Sequence, residues 1–159
     1  MIILGIDPGL SITGYGLIEI GRSKRIRLKE AGVIRTKKSD NISARLTKIY
    51  QNIIEIINEY KPEYIVLEKL YSHYRHPVTA LLMGHARGVV CLAAGVSGIK
   101  LINYHAKRIK KAMTGKGQAS KIQIQGMVQQ LLGLREMPKP KDVADALACA
   151  LTYANAELR

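Results

Sequence analysis

Four carboxylates occupy positions where a carboxylate is costly. Asp7 ends the apolar run Met1 to Ile6, Glu68 ends Tyr64 to Leu67, and Asp142 and Asp145 open an alanine-rich segment. The chain has only 12 acidic residues against 25 Lys and Arg, a formal net charge of +13. Acids at the ends of buried strands are poorly solvated and repel one another, so they persist only when protonated, paired or bound to cations. Divalent metal is the simplest partner. A metal-loaded acidic pocket set in a basic surface suits a polyanionic substrate and points to phosphodiester hydrolysis.

Asp142 and Asp145 are three residues apart, so on a helix they share one face near its positive end. Behind them Ala144, Ala146, Ala148 and Ala150 have little bulk, which would let the helix press closely against the sheet edge carrying Asp7 and Glu68. All four acids could then converge as metal ligands and catalytic groups. Two divalent ions roughly 4 Å apart serve in-line hydrolysis, one activating water and the other stabilising the leaving oxygen. Hard, all-oxygen ligation and the lack of a zinc-like Cys or His pair favour Mg²⁺, with Mn²⁺ as a substitute. Read singly, Asp142 is equally a helix-start residue, Asp145 a solvated neighbour and Glu68 a salt-bridge partner.

The elements that must position these acids are legible as an α/β pattern. Ile2 to Ile6 reads as a strand buried on both faces, and Pro8-Gly9 turns the chain immediately after Asp7. Thr13 to Ile20 and Lys24 to Thr36 read as antiparallel strands joined near Gly21-Arg22-Ser23. Leu46, Ile49, Ile53, Ile54 and Ile57 recur at helical spacing within Ile42 to Tyr60, and Lys61-Pro62 stops that helix. A right-handed crossover makes the strand Tyr64 to Leu67 parallel to the first. A helix over Val78 to Ala94, a strand over Leu101 to Tyr104, and helices beginning near Ala119-Ser120 and Pro140 to Asp142 complete a mixed five-stranded sheet flanked by helices.

A length of 159 residues suits one compact domain spanning 1–159. The longest apolar stretch, Ala80 to Ile99, is interrupted by His85 and Arg87, which argues against a membrane partner. Asp7 arrives before a signal-peptide apolar region could form, so an unprocessed cytoplasmic protein is expected. Cys91 and Cys149, in small-residue apolar segments, read as reduced core residues. With no Phe or Trp, the eight tyrosines are the chain's aromatics able to stack on a base.

The runs Ile3-Leu4-Gly5-Ile6-Asp7-Pro8-Gly9 with Thr13-Gly14-Tyr15-Gly16, Glu68-Lys69-Leu70-Tyr71, Gly84-His85-Ala86-Arg87-Gly88, and Asp142-Val143-Ala144-Asp145-Ala146-Leu147 occur in this order. Together they resemble the RuvC family of crossover-junction endodeoxyribonucleases, from Met1 to about Tyr153. The resemblance implies a ribonuclease-H-like fold, a homodimer, Mg²⁺-dependent resolution of Holliday junctions in DNA recombination and repair by paired nicks, and cooperation with a branch-migration motor. It assigns Asp7, Glu68, Asp142 and Asp145 as the metal-binding catalytic acids, although some members carry His at one of the last two positions. It places Tyr71, where members often have Phe, against an unpaired base at the crossover; a core position for the ring is the alternative. Tyr74 is a weaker stacking candidate.

Lys107, Arg108, Lys110, Lys111, Lys116 and Lys121 cluster after the fifth strand and through the following loop. As a group they would track phosphates, and the resemblance singles out Lys110 and Lys121. Arg22, Lys24, Arg25, Arg27 and Lys29 form a second basic strip that solvation or edge-strand protection explains as well as DNA contact does. His73, His76, His85 and His105 lack metal spacing as a set and read as structural or surface residues. The small residues of the 78–94 helix suit a two-fold dimer interface or packing within one subunit. Rival readings are a nuclease acting on RNA/DNA hybrid, a non-catalytic junction-binding protein, and an ATP-binding hairpin at Asp7-x-Gly9, the last disfavoured because a second lobe is lacking.

Overall fold

The computed structural model describes residues 1–69 and 77–158; Tyr71, Tyr74, His73 and His76 lie outside the described residues. The chain runs β1 (Ile2–Asp7), β2 (Ile12–Ile20), β3 (Ile26–Arg35), α1 (Ile42–Tyr60), β4 (Tyr64–Glu68), α2 (Pro77–Val96), β5 (Lys100–Tyr104), α3 (Ala106–Thr114), α4 (Lys121–Leu132) and α5 (Lys141–Glu157). The sheet order is β3-β2-β1-β4-β5. β2 is antiparallel to β1 and β3, whereas β4 is parallel to β1 and β5.

Strand alternation divides the sheet into two apolar faces. Leu4, Ile6, Ile65 and Leu67 point to a core closed by α1 and α2. Ile3 and Val66 point the other way, toward a core closed by α3, α4 and α5. Asp7 and Glu68 follow Ile3 and Val66 at even spacing, so their side chains belong to the α5 face. The Ile6–Leu67 pairing extended by one step sets the two acids side by side.

The close seat of α5 depends on glycines as well as alanines. A Cβ at Gly5 would run into the Ala146 carbonyl oxygen, and one at Gly14 into the Asp142 carbonyl oxygen. The helix lies across the face of the central strands β1 and β2, where the alanine pattern alone had indicated a sheet edge. Asp142 thereby sits over Gly14, the residue paired with Asp7.

One element departs from the sequence expectation. The segment after β5, read as a strand end and loop, contains the helix α3. Its buried residues are Ile109 and Met113, one turn apart, and Gly115 ends it at φ 75°. Tertiary burial of those two side chains stabilises a helix whose other positions are mostly basic.

Candidate active site

The turn after Asp7 is held by hydroxyls. Thr13 Oγ1 donates to the Gly9 carbonyl at 2.7 Å, and Thr36 Oγ1 donates to the Leu10 carbonyl at 2.5 Å. Arg45 reaches in from α1, its Nε on Thr36 Oγ1 at 2.9 Å and its Nη2 on Ser11 Oγ at 3.0 Å. Thr13 is fully buried, so its hydrogen bonds fix the strand exit in a setting where water competes poorly.

Asp7, Glu68 and Asp145 line one cleft of about 340 Å³. Its walls include Pro8, Met83, Ile109, Ile124 and Ala148, and the cations Lys69, Lys110 and Lys121 stand among them. Asp142 is outside the lining, one helical turn from Asp145 and above the β2 neighbour of Asp7. Three of the four acids therefore open on a common space, with the fourth beside it.

Burial, reinforced by repulsion from Asp145, Asp142 and Glu68, pushes the Asp7 carboxyl up to about 7 against the opposing pull of Lys121. Glu68 as a whole residue is exposed, but burial of its carboxyl and repulsion from Asp145 raise it too. Lys121 Nζ lies 3.0 Å from Asp145 Oδ2, with the lysine side chain 64% and the aspartate side chain 28% exposed. Burial opposes the Lys121 charge, but the Asp145 hydrogen bond and the attraction of Asp145, Asp7 and Asp142 outweigh it.

Among the described residues no three acids stand close enough together to form a closed ion cage. The donor set still fits a divalent ion. Its ligands are hard carboxylate oxygens, Asp7 is held against its ionisation, and a lysine ammonium already occupies the place of a counter-charge. Asp7, Glu68, Asp142 and Asp145 are the groups that would hold it.

The raised Asp7 pKa has a consequence for metal-free protein. An acid whose folded value, about 7, exceeds its ordinary 3.8 favours the fold while protonated. That contribution is full below about pH 4 and is lost as pH rises through 7. Metal-free protein is expected to lose on the order of 2 to 4 kcal/mol of stability across this window, and Asp7→Asn to flatten the loss, as urea titrations at pH 5 and pH 8 would measure.

The basic residues do not all line one space. Lys110 and Lys121 line the acid cleft, whereas Arg108 and Lys111 line a separate hollow with Thr152 and Asn155 on another side of α3. The Arg108 guanidinium stacks over Tyr104 at 5.0 Å from the ring centroid. Lys107 and Lys116 are exposed and line neither space. The hairpin strip lies at the other end of β2, roughly 20 Å from Asp7 by strand rise, and its Lys29 pairs with Glu19 at 3.6 Å. Cys149 is buried beneath the acids and Cys91 half-buried, both free; burial raises the Cys149 thiol well above its ordinary value, against nucleophilic use.

Alpha helices on both faces of a mixed β3-β2-β1-β4-β5 sheet, with acids at neighbouring strand ends and on a helix laid across them, define a ribonuclease-H-like nuclease architecture. Residues 3–153 match the family model described as crossover junction endodeoxyribonuclease RuvC. The chain is 48% identical over 149 residues to the crossover junction endodeoxyribonuclease RuvC of Rhodopirellula baltica, covering 94% of this chain and 83% of that one. Identity to the Desulforamulus reducens protein of the same name is 47% over 155 residues, 97% of this chain and 93% of the other. A solved Thermus thermophilus RuvC, in complex with Holliday junction substrate, superposes with a TM-score of 0.89 at 30% identity over 99% of this chain and 95% of that one. The chain belongs to the RuvC family of crossover junction endodeoxyribonucleases, a membership that implies a requirement for divalent metal.

Proposed function

We propose that this protein resolves four-way DNA junctions by paired, symmetric nicks. The observation that carries the reading is the cleft itself: Asp7, Glu68 and Asp145 face one space with Lys110 and Lys121, in a chain of this family. Asp7, Glu68, Asp142 and Asp145 would hold Mg²⁺, or Mn²⁺ in its place. Bound divalent ions supply Lewis acidity to the phosphodiester. Lys121, which pairs with Asp145, could meet a phosphate oxygen, and Lys110 lines the same cleft. Tyr71, three residues beyond Glu68 in sequence, would stack on a base unpaired at the crossover, worth about 1 to 3 kcal/mol.

A symmetric junction calls for two clefts related by a two-fold axis, and α2 supports a homodimer. Val78, Leu81, His85, Gly88 and Leu92 fall at alternating steps of three and four and are all exposed, forming one stripe. Val78, Leu81 and Leu92 are 68%, 66% and 57% exposed, an apolar face left open in the single subunit. Three alanines of this helix, Ala86, Ala93 and Ala94, are buried against its own sheet, while a Cβ at Gly84, Gly88 or Gly95 would meet nothing. Small residues on the open stripe let a second helix approach closely.

Val78–Val96 is also long and apolar enough to cross a membrane, but its inner face belongs to the sheet core and Arg87 sits mid-helix. Leu92→Glu is expected to shift the protein from twice 17.6 kDa toward monomer and to uncouple the paired nicks, as light scattering and strand-resolved cleavage would record. A cytoplasmic location and a branch-migration motor that presents the junction belong to the same reading, supported by family membership. The direct test compares cleavage of a mobile four-way junction, linear duplex and RNA/DNA hybrid. Preference for the junction is expected; preference for the hybrid would overturn the reading.

A further inference from the structure

We propose that Arg87 is a positioning residue that locks the Glu68 end of β4 to α2, so that the helix offered to the second subunit also sets a catalytic acid. The inference rests on the reading of the cleft given above. One donor is missing beside the end of β4. In a parallel ladder running on from Ile6–Leu67, the Glu68 carbonyl would accept from the amide of residue 8. That residue is Pro8, which has no N–H. A backbone carbonyl at a strand end needs a partner from elsewhere.

Arg87 provides it. Its Nη1 donates to the Glu68 carbonyl at 2.7 Å, and its Nη2 donates to Asn103 Oδ1. On the other side of β4, the Lys69 amide donates to the Tyr104 carbonyl at 2.8 Å, so the strand end is held on both flanks. A planar guanidinium with two acceptors on adjacent strands constrains both position and direction. Its root is equally fixed, because the adjacent Ala86 is fully buried and so is Val90, one turn on.

The contact joins two faces of the sheet. The Glu68 side chain belongs to the α5 face, whereas α2 packs on the opposite one through Ala86, Val90 and Ala93. Arg87 stands between His85 and Gly88, both on the exposed stripe, yet its own side chain turns inward to the strand end. A displacement of α2 would therefore be transmitted to Glu68 through the Nη1 hydrogen bond, with Asn103 fixing the direction of the guanidinium.

The test uses full-length Arg87→Gln, Arg87→Lys and Asn103→Leu beside the native protein. Four quantities would be measured: the Mg²⁺-induced rise in melting temperature without DNA, junction binding in EDTA, single-turnover nicking against Mg²⁺ concentration, and mass by light scattering. Arg87→Gln is expected to slow nicking about 10- to 100-fold, the range seen when a group that orients a metal ligand is removed. Half-maximal nicking should need more Mg²⁺ and the Mg²⁺-induced melting shift should shrink, with dimer mass and junction binding unchanged. Arg87→Lys should recover part of the rate, and Asn103→Leu should move the same readouts by less.

An unchanged Mg²⁺ response in Arg87→Gln would overturn the proposal, and lost junction binding in EDTA would make Arg87 a DNA contact instead. Should Arg87→Gln not fold, Asn103→Leu decides: an unchanged Mg²⁺ response there overturns it. Native protein that nicks no junction would sink the reading of the cleft, a separate outcome.

Discussion

Asp7→Asn is expected to lower junction nicking by at least about 10³-fold while leaving junction binding in EDTA intact. Asp7 is the most strongly shifted acid of the cleft, pushed to about 7 by burial and by its neighbours Asp145, Asp142 and Glu68. Such a carboxylate is a poor choice for stability and a good one for holding a divalent ion, whose charge reverses the local repulsion. The amide keeps the shape but removes the charge. The same substitution should make metal-free protein more stable at pH 8 than the native chain and shrink its stabilisation by Mg²⁺. Parallel nicking, binding and melting measurements would separate this outcome from simple unfolding, which would lower all three together.

Gly5→Val is expected to destabilise the fold by about 3 kcal/mol or more, because overpacking against rigid backbone leaves no side chain to yield. The obstacle is the Ala146 carbonyl, with the Ala150 amide behind it at 2.9 Å from the same Cβ position. Relief requires α5 to lift from β1, and α5 carries both Asp142 and Asp145. Activity should therefore fall even in the fraction that remains folded. Urea denaturation gives the first effect, and nicking per folded molecule the second. A variant with native stability would show that the helix seat is adjustable.

Much of this architecture is legible in the sequence because its signals are local. Isoleucines at helical spacing and the Lys61-Pro62 stop give α1 its observed bounds, Ile42–Tyr60. The unbroken apolar runs before Asp7 and Glu68 give β1 and β4, and the crossover rule gives their parallel pairing. The placement of the acids followed from those strands. Helix α3 was obscured because its apolar periodicity has few anchors: Ile109 and Met113 at one-turn spacing are surrounded by lysines that read as a phosphate-tracking loop. Gly115, at the C-terminal cap, was the available signal.

The role of Arg87 had no local signature, since its partners lie 19 and 16 positions away. Only the absent N–H of Pro8, interpreted through the strand register, marks the carbonyl that it serves. The apolar walls of the cleft, Met83, Ile109 and Ile124, come from three different helices and meet only in the folded chain. Charge clustering likewise could not tell Lys110 and Lys121, which enter the cleft, from Arg108 and Lys111, which line another hollow.

The most direct test of the account as a whole is strand-resolved cleavage of an end-labelled four-way junction by mixed dimers containing one native and one Asp7→Asn subunit, in Mg²⁺. If the acid cleft of each subunit cuts one strand of a two-fold arrangement, each mixed dimer will nick only one of the two opposing strands. Native dimers will nick both at symmetric positions, and neither will cut in EDTA. Mixed dimers that cut both strands as native dimers do would contradict the assignment of one acid cleft to each nick.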